Sequence, residues 1–288
     1  MLCCIGFAYK EQMNDQTESA KQAPDGIGNL FVAKTGNGCQ PVILLPGLGC
    51  GPWIFESLTA ALPTDVSVYM VTVAGFNGTA PSYKPVIQAT LDSLLHLIEK
   101  LGLVKPVLIA HSIGGTIALK IASLFPHLLG RTVIVDAAPR FLEDETIESH
   151  RTANLALAEE LFGDADRQRS KAMSLKWIKE MVMSDANVER INSDWRKSDK
   201  PTLRSFFVDG RMLAFGLDVT VVTIPLLVIA PFERIDEREE VLAEFQRAYD
   251  GASTVEVELI GPARHFAMLD QPEATNQEIL RFLEERRD

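Results

Sequence analysis

Val107-Leu108-Ile109-Ala110-His111-Ser112-Ile113-Gly114-Gly115 is the stretch that decides the fold. An apolar run leads into the serine, and a helix-like run, Thr116-Ile117-Ala118-Leu119-Lys120-Ile121-Ala122, leads away from it. A serine on a tight turn between a buried strand and a helix is a nucleophile elbow. The backbone of that turn is crowded, so the residues two before and two after the serine must be small. Here they are Ala110 and Gly114. Gly is usual at both, and Ala110 is a small departure. The helix start also places backbone N–H groups beside the serine, where an anion would be stabilised. Taken alone, the same turn also fits an ordinary strand-to-helix connection, so partners must be sought elsewhere in the chain.

On both sides of this turn, strands alternate with helices. Residues 29–34 read as a first strand, and 41–45 form a continuous apolar run, as expected of a strand buried on both faces. Residues 53–62 are helix-like, Val66–Val73 is strand-like, and 86–101 places Leu91, Leu94, Leu95, Ile98 and Leu101 at helical spacing. Strand patterns recur at 131–136, 224–230 and 254–260, with helices at about 236–249 and 272–286. Short strands with helical crossovers imply a mostly parallel central sheet with helices on both faces. Between 141 and 217 no buried strand appears. That segment reads as amphipathic helices at about 143–162, 166–184, 186–197 and 201–214, an inserted helical cap. The expected organisation is a disordered or loosely attached segment at 1–28, a core built from 29–140 and 218–288, and a cap at 141–217.

Composition narrows the function classes. At 288 residues the chain fits one large domain or a domain with an insertion. The formal charge of −11 argues against nucleic acid or an anionic membrane surface as a partner. No apolar run approaches the roughly 18 residues that span a bilayer. Cys3, Cys4, Cys39 and Cys50 all lie near the start, which does not resemble a disulfide framework, and no Cys/His cluster has zinc spacing. No metal site is expected. The first eight residues are apolar but lack a preceding Lys or Arg, so they make a poor signal peptide. A cytoplasmic location is expected, with a periplasmic or secreted one if that start is a signal-peptide remnant. The pattern does not fix the oligomeric state.

Four segments fall into one register. Leu44-Leu45-Pro46-Gly47-Leu48-Gly49 follows a strand, as an oxyanion loop should. The elbow comes next. Val133-Ile134-Val135-Asp136-Ala137-Ala138-Pro139 ends the strand after it, and Ala263-Arg264-His265-Phe266 follows the last strand. The order is nucleophile, candidate acid, histidine. From about 29 to 286 the chain resembles the α/β-hydrolase superfamily. Capped esterase-like members look most similar, through Pro126, the Asp136-Ala137-Ala138-Pro139 strand end and Gln271-Pro272-Glu273 after the histidine.

The resemblance implies a role for each part. Ser112 is a weak nucleophile until a base takes its proton, and His265 can do so at neutral pH. His111 reads as a packing residue of the elbow, and His96, His127 and His150 as lying away from the catalytic edge. The oxyanion donors are expected to be the backbone N–H groups of Leu48 and Ile113. Pro46 stands where the family often has His, which removes a supporting donor but leaves the N–H of Leu48. The acid stays open. The family usually carries Asp about four residues past the strand at 224–230, and Arg234 holds that register here. Asp136 is the first candidate, because some capped members carry the acid there. Asp236 is the alternative after a lengthened loop, and Glu233 is a further one. Trp53 and Phe76 are expected at the pocket mouth, and Asp209 with Arg211 as a structural pair.

These expectations describe a serine hydrolase of small or medium carboxylic esters, needing no cofactor. The alternatives are hydrolysis of another acyl bond (carbon–carbon, lactone or amide) and a non-catalytic small-molecule receptor on the same fold. Dehalogenases and epoxide hydrolases of this superfamily use Asp where this chain has Ser112.

Overall fold

The computed structural model describes residues 25–82, 85–139 and 146–284. Among these, eight strands form one sheet: β1 (Asp25–Ile27), β2 (Leu30–Thr35), β3 (Gln40–Leu45), β4 (Val66–Val73), β5 (Val107–His111), β6 (Arg131–Val135), β7 (Leu226–Pro231) and β8 (Val255–Ile260). Their spatial order is β1-β2-β4-β3-β5-β6-β7-β8. The first three in that order pair antiparallel and all later pairs are parallel. A parallel strand needs cover on both faces, and its sequence shows it. β5 is buried at every position, as are four of the five residues of β6 and five of the six in β3 and β7.

The helices that cover the sheet are α1 (Glu56–Ala61), α2 (Val86–Lys100) and α3 (Ile113–Leu124), which lie between the strands from β3 to β6. Beyond β6 come four more: α4 (Ile147–Phe162), α5 (Arg167–Met181), α6 (Asp185–Lys197) and α7 (Lys200–Leu213). Local chemistry starts three of these four. The side chains of Thr146, Asp166 and Asp199 accept from the N–H groups of Ser149, Arg169 and Thr202, which satisfies a donor left over at each helix start. The four helices pack on one another, and α7 rests on α2 and α3. They therefore form a layer over the sheet rather than continuing it. The chain returns through β7, α8 (Arg238–Ala248) and β8 to α9 (Ala267–Asp270) and α10 (Pro272–Glu284).

The structure departs from the sequence reading at the front. Residues 25–27 are not loosely attached but pair with β2, Gly26 opposite Phe31, and Ile27 is buried. Residues 1–24 of the expected loose segment lie outside the described residues, as do 140–145, where the first cap helix was expected to begin. No helix among the described residues is long and apolar enough to cross a membrane.

Candidate active site

β5 ends at His111, and α3 begins at Ile113. Ser112, between them, has φ of 55° and ψ of −128°. A positive φ on a residue with a Cβ is uncommon and is held only where surroundings enforce it. Here the Ser112 N–H donates to Val135 O at 2.9 Å and Thr116 N–H donates back to Ser112 O at 3.0 Å. Gly114 shows why small residues are required around the serine: a Cβ there would lie 2.6 Å from Pro46 O and 2.8 Å from Leu45 O. Gly114→Val is therefore expected to cost about 1–3 kcal/mol of stability through overpacking, read as a lower urea midpoint. An unchanged midpoint would mean that the chain at 45–46 gives way freely.

Asp136 repeats the arrangement one strand along. It follows β6 with φ of 46°, and its N–H donates to Ile229 O at 3.0 Å. Aspartate tolerates this left-handed conformation better than most residues. The Tyr249 hydroxyl, buried behind it, donates to Ala137 O at 2.6 Å. Burial, and then the Asp136 charge, push the tyrosine pKa well above its ordinary value, so it stays a donor.

His265 joins the two. Its Nε2 lies 2.8 Å from Ser112 Oγ and its Nδ1 lies 2.6 Å from Asp136 Oδ2. An ionised carboxylate only accepts, so Nδ1 carries the proton and Nε2 is left to accept from the serine hydroxyl. The loop that carries His265 is fixed by its neighbours: Asp270 accepts from the N–H groups of Arg264 and Met183, both at 2.9 Å. The other two acid candidates are engaged elsewhere. Asp236 is exposed and paired with Arg234, while Glu233 accepts from Arg264 at 2.6 and 2.9 Å.

His111 lies under this group. Its Nε2 faces His265 O at 3.0 Å, and its ring packs on His265 and Phe266 with centroids 4.6 and 4.5 Å apart. A carbonyl accepts, so His111 is protonated at Nε2. Burial, with His265 adding to it, holds its pKa well below the ordinary imidazole value. It is a neutral platform for the His265 loop.

The loop after β3 approaches the serine closely. A Cβ on Gly47 would sit 2.9 Å from Ser112 Cβ. Neither Leu48 N–H nor Ile113 N–H donates to a backbone carbonyl outside regular elements among the described residues. Both residues line a cavity of about 780 Å³ together with Ser112 and His265. Its wall also includes the sheet edge at 136–139, the inserted helices, through Trp177, Met181, Trp195 and Phe207, and α8, through Val241 and Phe245.

Several placements differ from expectation. Trp53 and Phe76 do not line the cavity. Phe76 is wholly buried and packs edge-on against Phe206 at 4.9 Å, while Trp53 turns its Nε1 to Asp194 at 2.6 Å. Trp53 follows the loop after β3 and Phe76 the end of β4, and a place after a strand end did not fix the direction of either side chain. His150 does line the cavity, stacked on Phe215 at 4.4 Å. Asp209 accepts from Ser205, and Arg211 donates to Asn154 at 2.7 Å. The α8 wall is not legible in the sequence, because an amphipathic helix does not announce which of its apolar residues meet a cavity.

Comparisons with known proteins bear on the family and the fold. Residues 42–278 match the model of the alpha/beta hydrolase family. A pimeloyl-(acyl-carrier protein) methyl ester esterase of Aromatoleum aromaticum is 33% identical over 101 residues, 35% of this chain and 38% of that protein. The chain thus aligns with well under half the length of that relative. A 2-hydroxy-6-oxononadienedioate/2-hydroxy-6-oxononatrienedioate hydrolase of a Pseudomonas species is 23% identical over 89% of this chain and 92% of its own. Among solved structures, a thermophilic esterase from Thermogutta terrifontis superposes with a TM-score of 0.67 at 23% identity, covering 88% of this chain and 92% of its own, a likeness of fold. With a mostly parallel sheet, a serine elbow after its central strand and a family match spanning most of its length, this chain belongs to the alpha/beta hydrolase family.

Proposed function

We propose that this protein is a serine hydrolase that cleaves small or medium carboxylic esters through an acyl-enzyme. The observation that carries this reading is the unbroken chain Ser112 Oγ, His265, Asp136 Oδ2, with contacts of 2.8 and 2.6 Å, opening on a cavity of about 780 Å³. His265 takes the serine proton as Oγ attacks the ester carbonyl, then returns it to the departing alkoxide. Asp136 holds the imidazole in the required tautomer and stabilises its charge. Leu48 and Ile113 N–H groups receive the oxyanion, each such donor being worth about 2.7–4 kcal/mol in the transition state. Water then attacks the acyl-enzyme by the same proton route. The ester names of similar proteins support this class of substrate.

The test is labelling with a fluorophosphonate, mapping of the labelled peptide, and a panel of p-nitrophenyl esters of increasing acyl length. Label on Ser112 and turnover of the shorter esters are expected. Label elsewhere, or none, would overturn the assignment. Hydrolysis of another acyl bond is the second reading, favoured by the near full-length match to the dienedioate hydrolase. It would show as labelled Ser112 with slow turnover of every ester.

The aromatic wall should set acyl preference. Trp177→Leu and Phe215→Leu are expected to shift the ratio of long-chain to short-chain rates by about 10-fold each, since one methylene in an apolar pocket is worth about 1–3 kcal/mol. A uniform change across the panel would instead mark these residues as support only.

A further inference from the structure

We propose that α6 holds the oxyanion loop in shape, with Asp194 and Trp195 as positioning residues for the Leu48 N–H; this rests on the reading of Leu48 as an oxyanion donor. The loop has little to hold it from within. Its internal backbone bonds, Cys50 N–H to Gly47 O and Ile54 N–H to Gly51 O, are long at 3.4 and 3.5 Å. The short bonds come from the inserted helix. Trp195 Nε1–H donates to Leu48 O at 2.9 Å. Asp194 Oδ2 accepts from Gly51 N–H at 2.8 Å and from Trp53 Nε1–H at 2.6 Å. One turn earlier, Arg190 pairs with Glu56 at 2.6 and 2.8 Å and lies 3.8 Å over the Trp53 ring.

The consequence for Leu48 is geometric. The peptide plane before it is tied through Gly47 O, and the plane after it through Leu48 O. Its N–H direction is fixed only while both ties hold, and the stronger tie is Trp195. Asp194 then anchors Gly51, where the loop ends, and the Trp53 side chain just beyond it. A buried carboxylate is a costly way to pack a helix, and Asp194 is buried. Burial drives the Asp194 pKa up, against the pull of the Gly51 and Trp53 N–H groups. A purely structural contact here could be apolar. What an apolar residue could not do is accept two N–H groups and set the pitch of the loop.

An oxyanion donor acts through being aimed before the charge forms. Loss of the support should therefore slow acylation while leaving ground-state binding nearly intact. Asp194 suits the test because it does not line the cavity. Trp195 does line the cavity, but Trp195→Phe keeps an aromatic ring against Phe162 and Trp177, now at 5.4 and 5.8 Å, while the N–H is lost.

The experiment measures the rate at which a fluorophosphonate labels Ser112, together with kcat and KM for the best ester, in the wild-type protein, Trp195→Phe, Asp194→Ala and Asp194→Asn. Circular dichroism controls folding. Asp194→Ala and Trp195→Phe are expected to label and turn over about 10–100-fold more slowly, somewhat less than loss of a donor itself. KM for Asp194→Ala should stay within about 2-fold, the pattern of an interaction made only in the transition state. Asp194→Asn keeps an acceptor oxygen and should recover most of the rate. A folded Trp195→Phe that labels at the wild-type rate would overturn the proposal. So would a loss in Asp194→Ala that falls on KM, or one that Asn fails to recover. Failure of the wild-type protein to label at Ser112 would instead bring down the hydrolase reading, and this inference with it.

Discussion

Ser112→Ala is expected to lower ester turnover by about 10⁴–10⁶-fold while leaving the fold in place. The serine Oγ is the group that His265 Nε2 faces at 2.8 Å, at the floor of the cavity and beside the loop N–H groups. On the proposed reading, removing it takes away the nucleophile and leaves binding and oxyanion stabilisation to act on water alone. The elbow does not need the hydroxyl, because its backbone is tied through Val135 O and Thr116 N–H. Alanine keeps the Cβ that already tolerates the positive φ. Hydrolysis of a short p-nitrophenyl ester, with circular dichroism as control, measures the effect. Retention of more than about a tenth of the activity would place the nucleophile elsewhere, since a tenfold loss is only about 1.4 kcal/mol.

Asp136→Asn should depress turnover by about 10⁴-fold, and Asp236→Asn hardly at all. Asparagine fits the left-handed backbone at position 136 nearly as well as aspartate, so the change is confined to the proton. A carboxylate 2.6 Å from Nδ1 can only accept, which keeps the serine-facing Nε2 unprotonated. An amide can donate to Nδ1 instead and favour the tautomer in which Nε2 no longer accepts. Asp236 is exposed and occupied by Arg234, with no bond to His265 among the described residues. Rates for the two variants, side by side, decide the matter: a large loss at position 236 with little at 136 would reverse the assignment.

The buried strands were the most legible part of the chain. Val66–Val73 matches its sequence-read limits because it is a stretch rich in β-branched residues between loop residues. The edge strand β1 was hidden, since three residues containing Asp and Gly carry no pattern. Ser112 and His265 could be read from local context, and Asp136 only through a register argument set against Arg234. The geometry now brings Asp136 to His265. The cavity wall and the ties to the oxyanion loop were beyond reach for a different reason. Gly51 meets Asp194 across 143 residues and Leu48 meets Trp195 across 147. Pattern along one helix shows which face is apolar. It does not show which distant loop that face will meet.

The position of Asp136 has a practical consequence for the loop after β7. That loop closes on itself, with Arg234 paired to Asp236 and Glu237 accepting from Arg234 N–H at 3.2 Å, and Ile235 stands 78% exposed at its tip. On the proposed reading, with the carboxylate for His265 supplied one strand earlier, the tip carries none of the proton relay. It is thus a natural attachment point for a fluorophore or an affinity handle. Ile235→Cys, labelled with a maleimide dye in a chain whose exposed Cys39 is replaced, is expected to leave ester turnover unchanged.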